Sequence, residues 1–327
     1  MAATIKDVAK ETGLGLATIS SYLNGGNVRE KNRIKIEKAI EELHFEVNEV
    51  ARGLKTNKTE LNNIFCAEII TEIEDILRNR GYATMICDCR TDEKREDEAI
   101  EFLKKRRVDG IIIMPSGNKG KHLQTVAKSN IPIVMIDRKL KDIDCDCVLV
   151  DNQKAAEDAV RKLLEAGHKK IGMIAGSKEV FTADERLKGY RRAMEQAGVE
   201  ISEELIVHSD YTIAGGAASV RKLVKLNPDI SAVFVSNYEM TMGAIIELNE
   251  LNILIPDQLS FIGFDNVEFA RACVPKLSIV TQPTKEIARH VSELMLQRLE
   301  GYQKEDNSIT IKLQTSFVEG RSIKRKE

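Results

Sequence analysis

The stretch TIKDVAKETGLGLATISSYLN, Thr4 to Asn24, determines how the N-terminal part of the chain folds. Val8 and Ala9 belong to a first run of apolar residues at helical spacing, Gly13 interrupts it, and Ile19 belongs to a second run. A glycine between two amphipathic runs is typical of a tight turn between short helices. The stretch therefore predicts two short helices joined by a turn.

Two helices this short need a third to cover their apolar sides. Residues 31–43 carry Ile36, Ile40 and Leu43 at i, i+4 and i+7, which predicts that third helix. Such a unit is either an ordinary helical hairpin on a larger domain or a DNA-binding helix–turn–helix. In a helix–turn–helix the second helix enters the major groove with its first residues at the base edges. Those residues are Leu16, Ala17, Thr18, Ser20 and Ser21.

Length and composition describe a globular chain of several domains. Its 327 residues are 43% hydrophobic and 31% charged, enough for two or three domains with their own cores. No apolar run approaches the roughly 20 residues that span a bilayer, and the start MAATIKDVAK lacks a signal-peptide hydrophobic region. We therefore expect a cytoplasmic protein with no membrane partner. Residues 1–60 hold ten Lys/Arg and nine Asp/Glu, a charge of only +1, which argues mildly against tight DNA binding.

From residue 67 onward, strand-like and helix-like patterns alternate along the chain. The strand-like segments are YATMICDC (82–89), GIIIMP (110–115), IPIVMID (131–137), KIGMIAG (170–176), a segment around residue 206, SAVFVS (231–236) and LSFIGFD (259–265). Alternation of this kind predicts an α/β fold of two doubly wound parallel-sheet lobes. In open parallel sheets, ligands bind outside the carboxyl ends of the strands.

Motifs for catalysis, cofactors and metals are missing from the sequence. It contains no Gly-x-Gly-x-x-Gly after a strand, no phosphate-loop Lys-Ser/Thr and no His-Glu-x-x-His. The six cysteines include two Cys-x-Cys spacings, for which a metal or redox pair is conceivable, but buried reduced thiols are favoured. His168 precedes a strand and is interpreted as structural. We expect neither a cofactor nor a bound metal, and no enzyme activity.

The chain resembles the LacI/GalR family of bacterial transcription regulators. The segments TIKDVAK, ATISSYLNG, ELHF and ARGLKTNKT follow the order and spacing of that family, and the resemblance continues to the end of the chain. It implies a three-helix headpiece (1–46), a hinge helix with linker (47–60) and a periplasmic-binding-protein-like core. The core would comprise an N-terminal lobe (61–150 plus 283–305) and a C-terminal lobe (151–282 plus 306–327).

The resemblance also implies which residues contact DNA. Beside the five recognition-helix residues, the positions that match are Thr4, Asn24, Arg52, Leu54 and Lys55. In the family the hinge leucine, here Leu54, wedges between base pairs in the minor groove; the alternative is an ordinary linker leucine. Within the recognition helix two positions depart from the family pattern: Gly15 stands where a serine usually caps the helix, and Ser21 replaces a common arginine. Leu16 either contacts thymine methyl groups or packs inward.

The resemblance further implies an effector site in the cleft between the lobes. The matching positions are Phe65, Asp137, Arg138, Arg186, Asn237, Tyr238 and Asp265. Arg186 matches an arginine that clamps a sugar hydroxyl or carboxylate, which suits a guanidinium fork. Tyr238 replaces the usual aspartate, which indicates a re-shaped pocket or a ligand unlike simple neutral sugars. For each charged residue the alternative is a surface ion pair.

One family element has no counterpart in this sequence. Family members carry a strand of the TIGVI type before the helix that contains FCAEII, whereas here TNKT runs directly into ELNNIFCAEII. The missing piece is roughly five to ten residues, one strand and its turn. Its neighbours, the segments YATMICDC and GIIIMP, would then be left unpaired or rearranged. The first lobe is damaged, or its sheet closes differently, or the sequence carries an internal deletion.

The sequence thus predicts a homodimeric repressor of carbohydrate metabolism genes. It would bind a pseudo-palindromic operator and respond to a small sugar or sugar-acid effector. The alternative is a cytoplasmic sugar-binding protein without DNA affinity, or a Rossmann-like enzyme.

Overall fold

The structure is a computed structural model that describes residues 5–23, 28–43, 63–90, 92–117, 123–127, 131–140, 143–178, 180–301 and 308–326. The chain divides into two compact units, Met1–Thr59 and Glu60–Glu327. Thr4, Asn24, Arg52, Leu54 and Lys55 lie outside the described residues. Among the described residues, no helix is long and apolar enough to cross a membrane.

The first unit contains the three predicted helices, α1 (Ile5–Thr12), α2 (Leu16–Leu23) and α3 (Glu30–Glu42). Val8, Ile19 and Ile36, one from each helix, are completely buried and form the centre of its core. Gly13 adopts a left-handed φ of 68° between α1 and α2, a conformation that glycine takes without a steric penalty. The helical spacing and the position of the turn are both confirmed.

The second unit contains nine described helices and ten described strands. Its helices are α4 (Ile64–Arg78), α5 (Glu93–Lys105), α6 (Gln124–Ala127), α7 (Asn152–Glu165), α8 (Phe181–Gln196), α9 (Ile213–Leu226), α10 (Tyr238–Glu250), α11 (Val267–Ala272) and α12 (Thr284–Leu299). Its strands are β1 (Ile111–Ile113), β2 (Ile133–Ile136), β3 (Asp146–Val150), β4 (Ile171–Ala175), β5 (Ile206–His208), β6 (Ala232–Val235), β7 (Ser260–Phe264), β8 (Ser278–Thr281), β9 (Thr310–Leu313) and β10 (Ser316–Val318).

The strands form two sheets, each the centre of one lobe. The first sheet has the order β1-β2-β3-β9, and all its pairings are parallel. The second has the order β10-β8-β7-β6-β4-β5, with β10 antiparallel to β8 and the other pairings parallel. Apolar residues of the helices pack on both faces of each sheet, which explains why the strands read as nearly continuous apolar runs.

The chain passes between the two lobes near residues 151, 283 and 315. After β3 it enters α7 of the second lobe, and after β8 it returns through α12, which packs on α4. Strand β9 then pairs with β3, so it belongs to the first sheet, and β10 pairs with β8 in the second. The boundary at residue 306 is wrong for β9, because the last passage follows Leu313.

Among the described residues, the sheet of the first lobe contains no strand before β1. Among the described residues, β1 is the first strand; it has three residues and forms an edge of the sheet. The predicted strand at residues 82–89 is wrong: the segment pairs with no other strand, and the side chains of Met85 and Ile86 are 43% and 45% exposed. A strand needs a neighbour to satisfy its backbone groups, and the family's strand between these two segments is absent here. The sheet therefore starts at β1.

Candidate effector cleft and DNA-recognition helix

The first residues of α2 are accessible at the surface of the headpiece. Leu16 is 46% exposed and Ala17 is also exposed, whereas Thr18, Ser20 and Ser21 are partly buried. Leu16 therefore does not pack inward, and that alternative is wrong. The exposed pair is apolar, so it offers methyl contacts but no bidentate hydrogen bond to a base.

Contacts on the opposite side of α2 fix which residues face outward. Ile19 is buried against α1 and α3, and the hydroxyl of Tyr22 donates to Glu37 Oε1 of α3 at 3.0 Å. Arg33 Nε donates to the same carboxylate oxygen at 2.9 Å, which lowers the pKa of Glu37. Arg33 is thus engaged with a carboxylate of its own helix.

In the core, two aspartates at strand ends adopt left-handed backbone conformations. Asp137 follows β2 with φ 66°, and Asp265 follows β7 with φ 60°. The backbone N–H of each still donates to a neighbouring strand, to Val148 O at 3.1 Å and to Val280 O at 2.7 Å. Non-glycine residues in this region cost about 1–3 kcal/mol each and cluster at functional sites. Both aspartates lie at the carboxyl ends of parallel strands, where ligands bind.

Arg186 of α8 connects three parts of the second lobe. Its side chain is only 4% exposed; Nε donates to Asn152 Oδ1 at 2.7 Å, and Nη1 donates to the carbonyl of Ser236. The guanidinium lies over the ring of Phe264, 3.7 Å from the centroid. Among the described residues, two of its five N–H groups find protein acceptors, which leaves donors for a ligand. Arg186 is therefore a structural clamp as well as a candidate ligand contact.

Asp265 is a partly buried carboxylate held by the buried amide of Gln282. Gln282 Nε2 donates to Asp265 Oδ1 and Oδ2 at 3.0 and 3.1 Å. Burial raises the pKa of Asp265 to about 6, although Arg186 and Gln282 act in the opposite direction. Its carboxylate is therefore at a place where charge is costly, as is common for groups that bind ligands.

The side chains of the remaining predicted effector residues already make contacts within the protein. Arg138 Nη1 donates to Pro115 O at 3.1 Å, and its Nε lies 3.4 Å from Asp137 Oδ2. Asn237 caps α10: its Oδ1 accepts from Met240 N at 2.9 Å, and its Nδ2 donates to Glu239. Tyr238 packs edge-on against the ring of Phe269, with centroids 5.9 Å apart.

Phe65 is half-buried at the start of α4, where it packs against the core of the first lobe. The geometry brings Asp137 and Arg138 of the first lobe into electrostatic reach of Arg186 and Asp265 of the second. It does not single out Phe65, whose contacts are those of a core residue.

A direct hydrogen bond between the lobes was not predicted from the sequence. Asn63 caps α4, where its Oδ1 accepts from Cys66 N at 3.2 Å, and its Nδ2 donates to Glu239 Oε1 of α10 at 3.0 Å. The only sequence signal was the capping position of Asn63, because nothing local connects residues 176 positions apart.

The thiol of Cys66 lies between carboxylates of both lobes. Burial raises its pKa to about 12, and the charges of Asp137 and Glu239 contribute in the same direction. Tyr211 follows β5 with φ 64°, and burial raises the pKa of its hydroxyl. Sequence reasoning identified neither residue. Their positions at the start of a helix and the end of a strand are the only signals that pointed to the cleft.

The other cysteines and His168 belong to the structural framework. All six cysteines are free thiols. His168 is buried, with Nδ1 3.0 Å from Ser231 Oγ and Nε2 2.9 Å from Lys324 O, and burial lowers its pKa. With both ring nitrogens bonded inside the lobe, His168 ties the C-terminal segment to the second sheet.

Comparison with known proteins gives family matches over most of the chain. A family model described as "Bacterial regulatory proteins, lacI family" matches residues 4–48. A second, described as "Periplasmic binding proteins and sugar binding domain of LacI family", matches residues 58–319. Catabolite control protein A of Priestia megaterium is 32% identical over 305 residues, 90% of this chain and 92% of that protein. The HTH-type transcriptional repressor PurR of Proteus mirabilis (strain HI4320) is 32% identical over 98% of this chain and 97% of its own.

Solved structures agree with these matches. A putative ribose operon repressor from Burkholderia thailandensis superposes with a TM-score of 0.72 at 33% identity, covering 78% of this chain and 94% of that one. The complex of the transcriptional regulator CelR with cellobiose superposes with a TM-score of 0.73 at 26% identity, covering 98% and 99%. The similarity therefore includes the headpiece as well as both lobes.

Proposed function

The chain belongs to the LacI family of bacterial regulatory proteins, whose members are transcription regulators and not enzymes, and from this we propose that it is a repressor of carbohydrate metabolism genes. It binds a pseudo-palindromic operator as a homodimer in the cytoplasm. A small sugar or sugar acid in the cleft between the lobes switches its DNA affinity.

The exposure of the first residues of α2 supports the DNA-binding part. Leu16 and Ala17 meet thymine methyl groups in the major groove, and Thr18, Ser20 and Ser21 hydrogen-bond to bases or phosphates. Thr4, Asn24, Arg52 and Lys55 add phosphate or sugar contacts. Because the headpiece carries little net charge, much of its specificity comes from Leu54, which wedges into the minor groove and kinks the operator.

The observation that carries the effector part is the convergence of charged groups from both lobes on one cleft. Asp137 and Arg138 come from the end of a strand in the first sheet, and Asp265 comes from the end of a strand in the second, with Arg186 beside it. A polyhydroxylated ligand hydrogen-bonds to both sets at once. Its affinity therefore depends on the relative orientation of the lobes.

Ligand binding is coupled to DNA binding through that orientation. In a dimer the lobes set the distance between the two headpieces, and this distance must match the spacing of the operator half-sites. A ligand that favours one lobe arrangement shifts the operator affinity by its differential affinity for the two arrangements, typically about 1–3 kcal/mol.

Operator selection from random duplex DNA, followed by binding across a salt series, tests this proposal. We expect a pseudo-palindromic site whose affinity falls steeply with salt, because phosphate contacts release counterions. Failure to enrich any site at low salt would contradict the repressor. Sugar binding in the absence of DNA enrichment would instead favour a sugar-binding protein without DNA affinity.

A further inference from the structure

Glu239 is a half-buried carboxylate that meets no cation among the described residues. Its two oxygens accept hydrogen bonds from the amides of Asn63, at 3.0 Å, and Asn237, at 2.5 Å. Both donors are neutral. Burial raises the pKa of Glu239, and the opposing contributions come from hydrogen bonds, not from a lysine or arginine. A carboxylate removed from water without a cation is unfavourable.

The two arginines of the cleft do not neutralise this charge. Arg138 lies against Asp137, and Arg186 lies beside Asp265 while it also holds Asn152 and Ser236. Among the described residues, three carboxylates thus face two guanidinium groups, and the excess negative charge is that of Glu239. The surroundings of Cys66 show the same excess of negative charge, because three carboxylates raise the pKa of its thiol and one arginine lowers it.

A second observation concerns the amide that holds Asp265. Gln282 is only 7% exposed, and its Oε1 has no hydrogen-bond partner among the described residues. The orientation of its amide is fixed, because Nε2 donates to both oxygens of Asp265 and a flipped amide would place two acceptors together. An unsatisfied buried acceptor costs about 1–3 kcal/mol. Next to Asp265, Gln282 thus carries an acceptor that has no donor among the described residues.

We propose, resting on the effector role proposed above, that the cleft selects a ligand carrying a protonated amine beside hydroxyl groups, and that Glu239 determines this selectivity. An ammonium group supplies three donors and a positive charge to balance Glu239, for which the described residues provide no cation. Amino sugars and other amine-bearing polyols belong to this class. A sugar acid is disfavoured, because its carboxylate would add a further negative charge to a site that already carries an excess.

The experiment compares sugars that differ only in charge. Calorimetric titration of the full chain at about pH 6.5, where aliphatic amines are protonated, uses four ligands of the gluco series: glucose, glucosamine, N-acetylglucosamine and glucuronate. The same sets are run for the galacto and manno series. We expect at least one amine to bind about tenfold more tightly than its neutral parent, and every uronate to bind more weakly.

Variants then assign the selectivity to one residue. The ratio of amine to parent affinity is measured within each variant, so a general loss of stability does not imitate the result. Glu239→Gln should bring the ratio to within about twofold of unity, and Glu239→Asp, which keeps the charge, should retain a preference. Glu250→Gln changes an exposed glutamate at the end of the same helix and should retain the full ratio.

Each outcome decides between the proposals. If neutral sugars bind and no amine exceeds its parent, or if the preference survives in Glu239→Gln, the amine proposal is wrong and the sugar-responsive repressor stands. If no sugar of any charge binds while the operator is recognised, the sugar effector is wrong together with its amine form. A uronate as the tightest ligand overturns the charge assignment alone.

Discussion

The substitution Asp265→Asn tests whether the negative charge of Asp265 destabilises the folded chain. Burial raises the pKa of Asp265 from 3.8 to about 6. The folded chain therefore holds this proton more tightly than the unfolded chain does. The resulting destabilisation is absent below pH 3.8, grows as the pH rises towards about 6, and is complete above that value. A neutral asparagine removes this pH-dependent contribution.

The magnitude follows from the difference in pKa. A shift of about two units corresponds to about 3 kcal/mol at full deprotonation, of which about half is already present at about pH 5. The free energy of unfolding of Asp265→Asn, relative to the wild type, should therefore rise by about 1–1.5 kcal/mol between about pH 5 and about pH 8. The weaker hydrogen bonds from Gln282 lower the variant's stability by an amount that does not depend on pH in this range.

Urea unfolding followed by circular dichroism measures this difference, since the chain has no tryptophan for fluorescence. Glu200→Gln, at an exposed carboxylate of the same lobe, is the control and should show little pH dependence. A relative stability of Asp265→Asn that stays constant or falls from pH 5 to pH 8 would refute the buried-charge explanation.

Three further substitutions probe the clamp, the helix packing and the hinge. Arg186→Lys loses the paired donors to Asn152 and Ser236 and the contact with Phe264. We expect the free energy of unfolding in urea to fall by about 2–4 kcal/mol and operator binding to lose its response to sugar. Unchanged stability would exclude the clamp. Gly243→Ala places a methyl group against the carbonyl of Ile213 where α9 and α10 cross, for an expected cost of about 1–3 kcal/mol by the same assay. Glu250→Ala, at the exposed end of the same helix, is its control, and equal effects would be inconsistent with close packing. Leu54→Ala should weaken binding to the selected operator by about 1–3 kcal/mol while changing non-specific binding little, and equal losses on both DNAs would contradict the wedge.

The candidate site was predicted in part because its residues occupy recognisable places in the pattern. Asp137, Asp265 and Asn237 each follow an apolar strand, and the carboxyl ends of parallel strands share one edge of a sheet. The contacts that these residues make in the folded chain could not be predicted from the sequence. Asn237 uses both polar groups of its side chain inside the lobe, whereas Glu239, two residues later, reaches Asn63 of the other lobe.

The first lobe shows the limit of a local pattern. Residues 82–89 have a strand-like composition, yet they form no strand, because the family's strand that would pair with them has no counterpart in this sequence. The sequence comparison located this gap beforehand, whereas the structure shows the result, a sheet that begins at the three-residue strand β1. Strand formation depends on a partner elsewhere in the chain, and helix formation does not to the same degree.

By itself, the sequence determined those helices, turns and strands that depend on residues close together in the chain. The three headpiece helices, the turn at Gly13 and the strands of both lobes from β1 to β7, apart from β3, follow from periodicity and turn chemistry over a few residues. Only the tertiary structure decided the return of β9 to the first sheet, the clamp around Arg186 and the Asn63–Glu239 hydrogen bond. These depend on distances between groups far apart in the chain, and so does the raised pKa of Asp265, since burial and neighbouring charge exist only after the chain has folded.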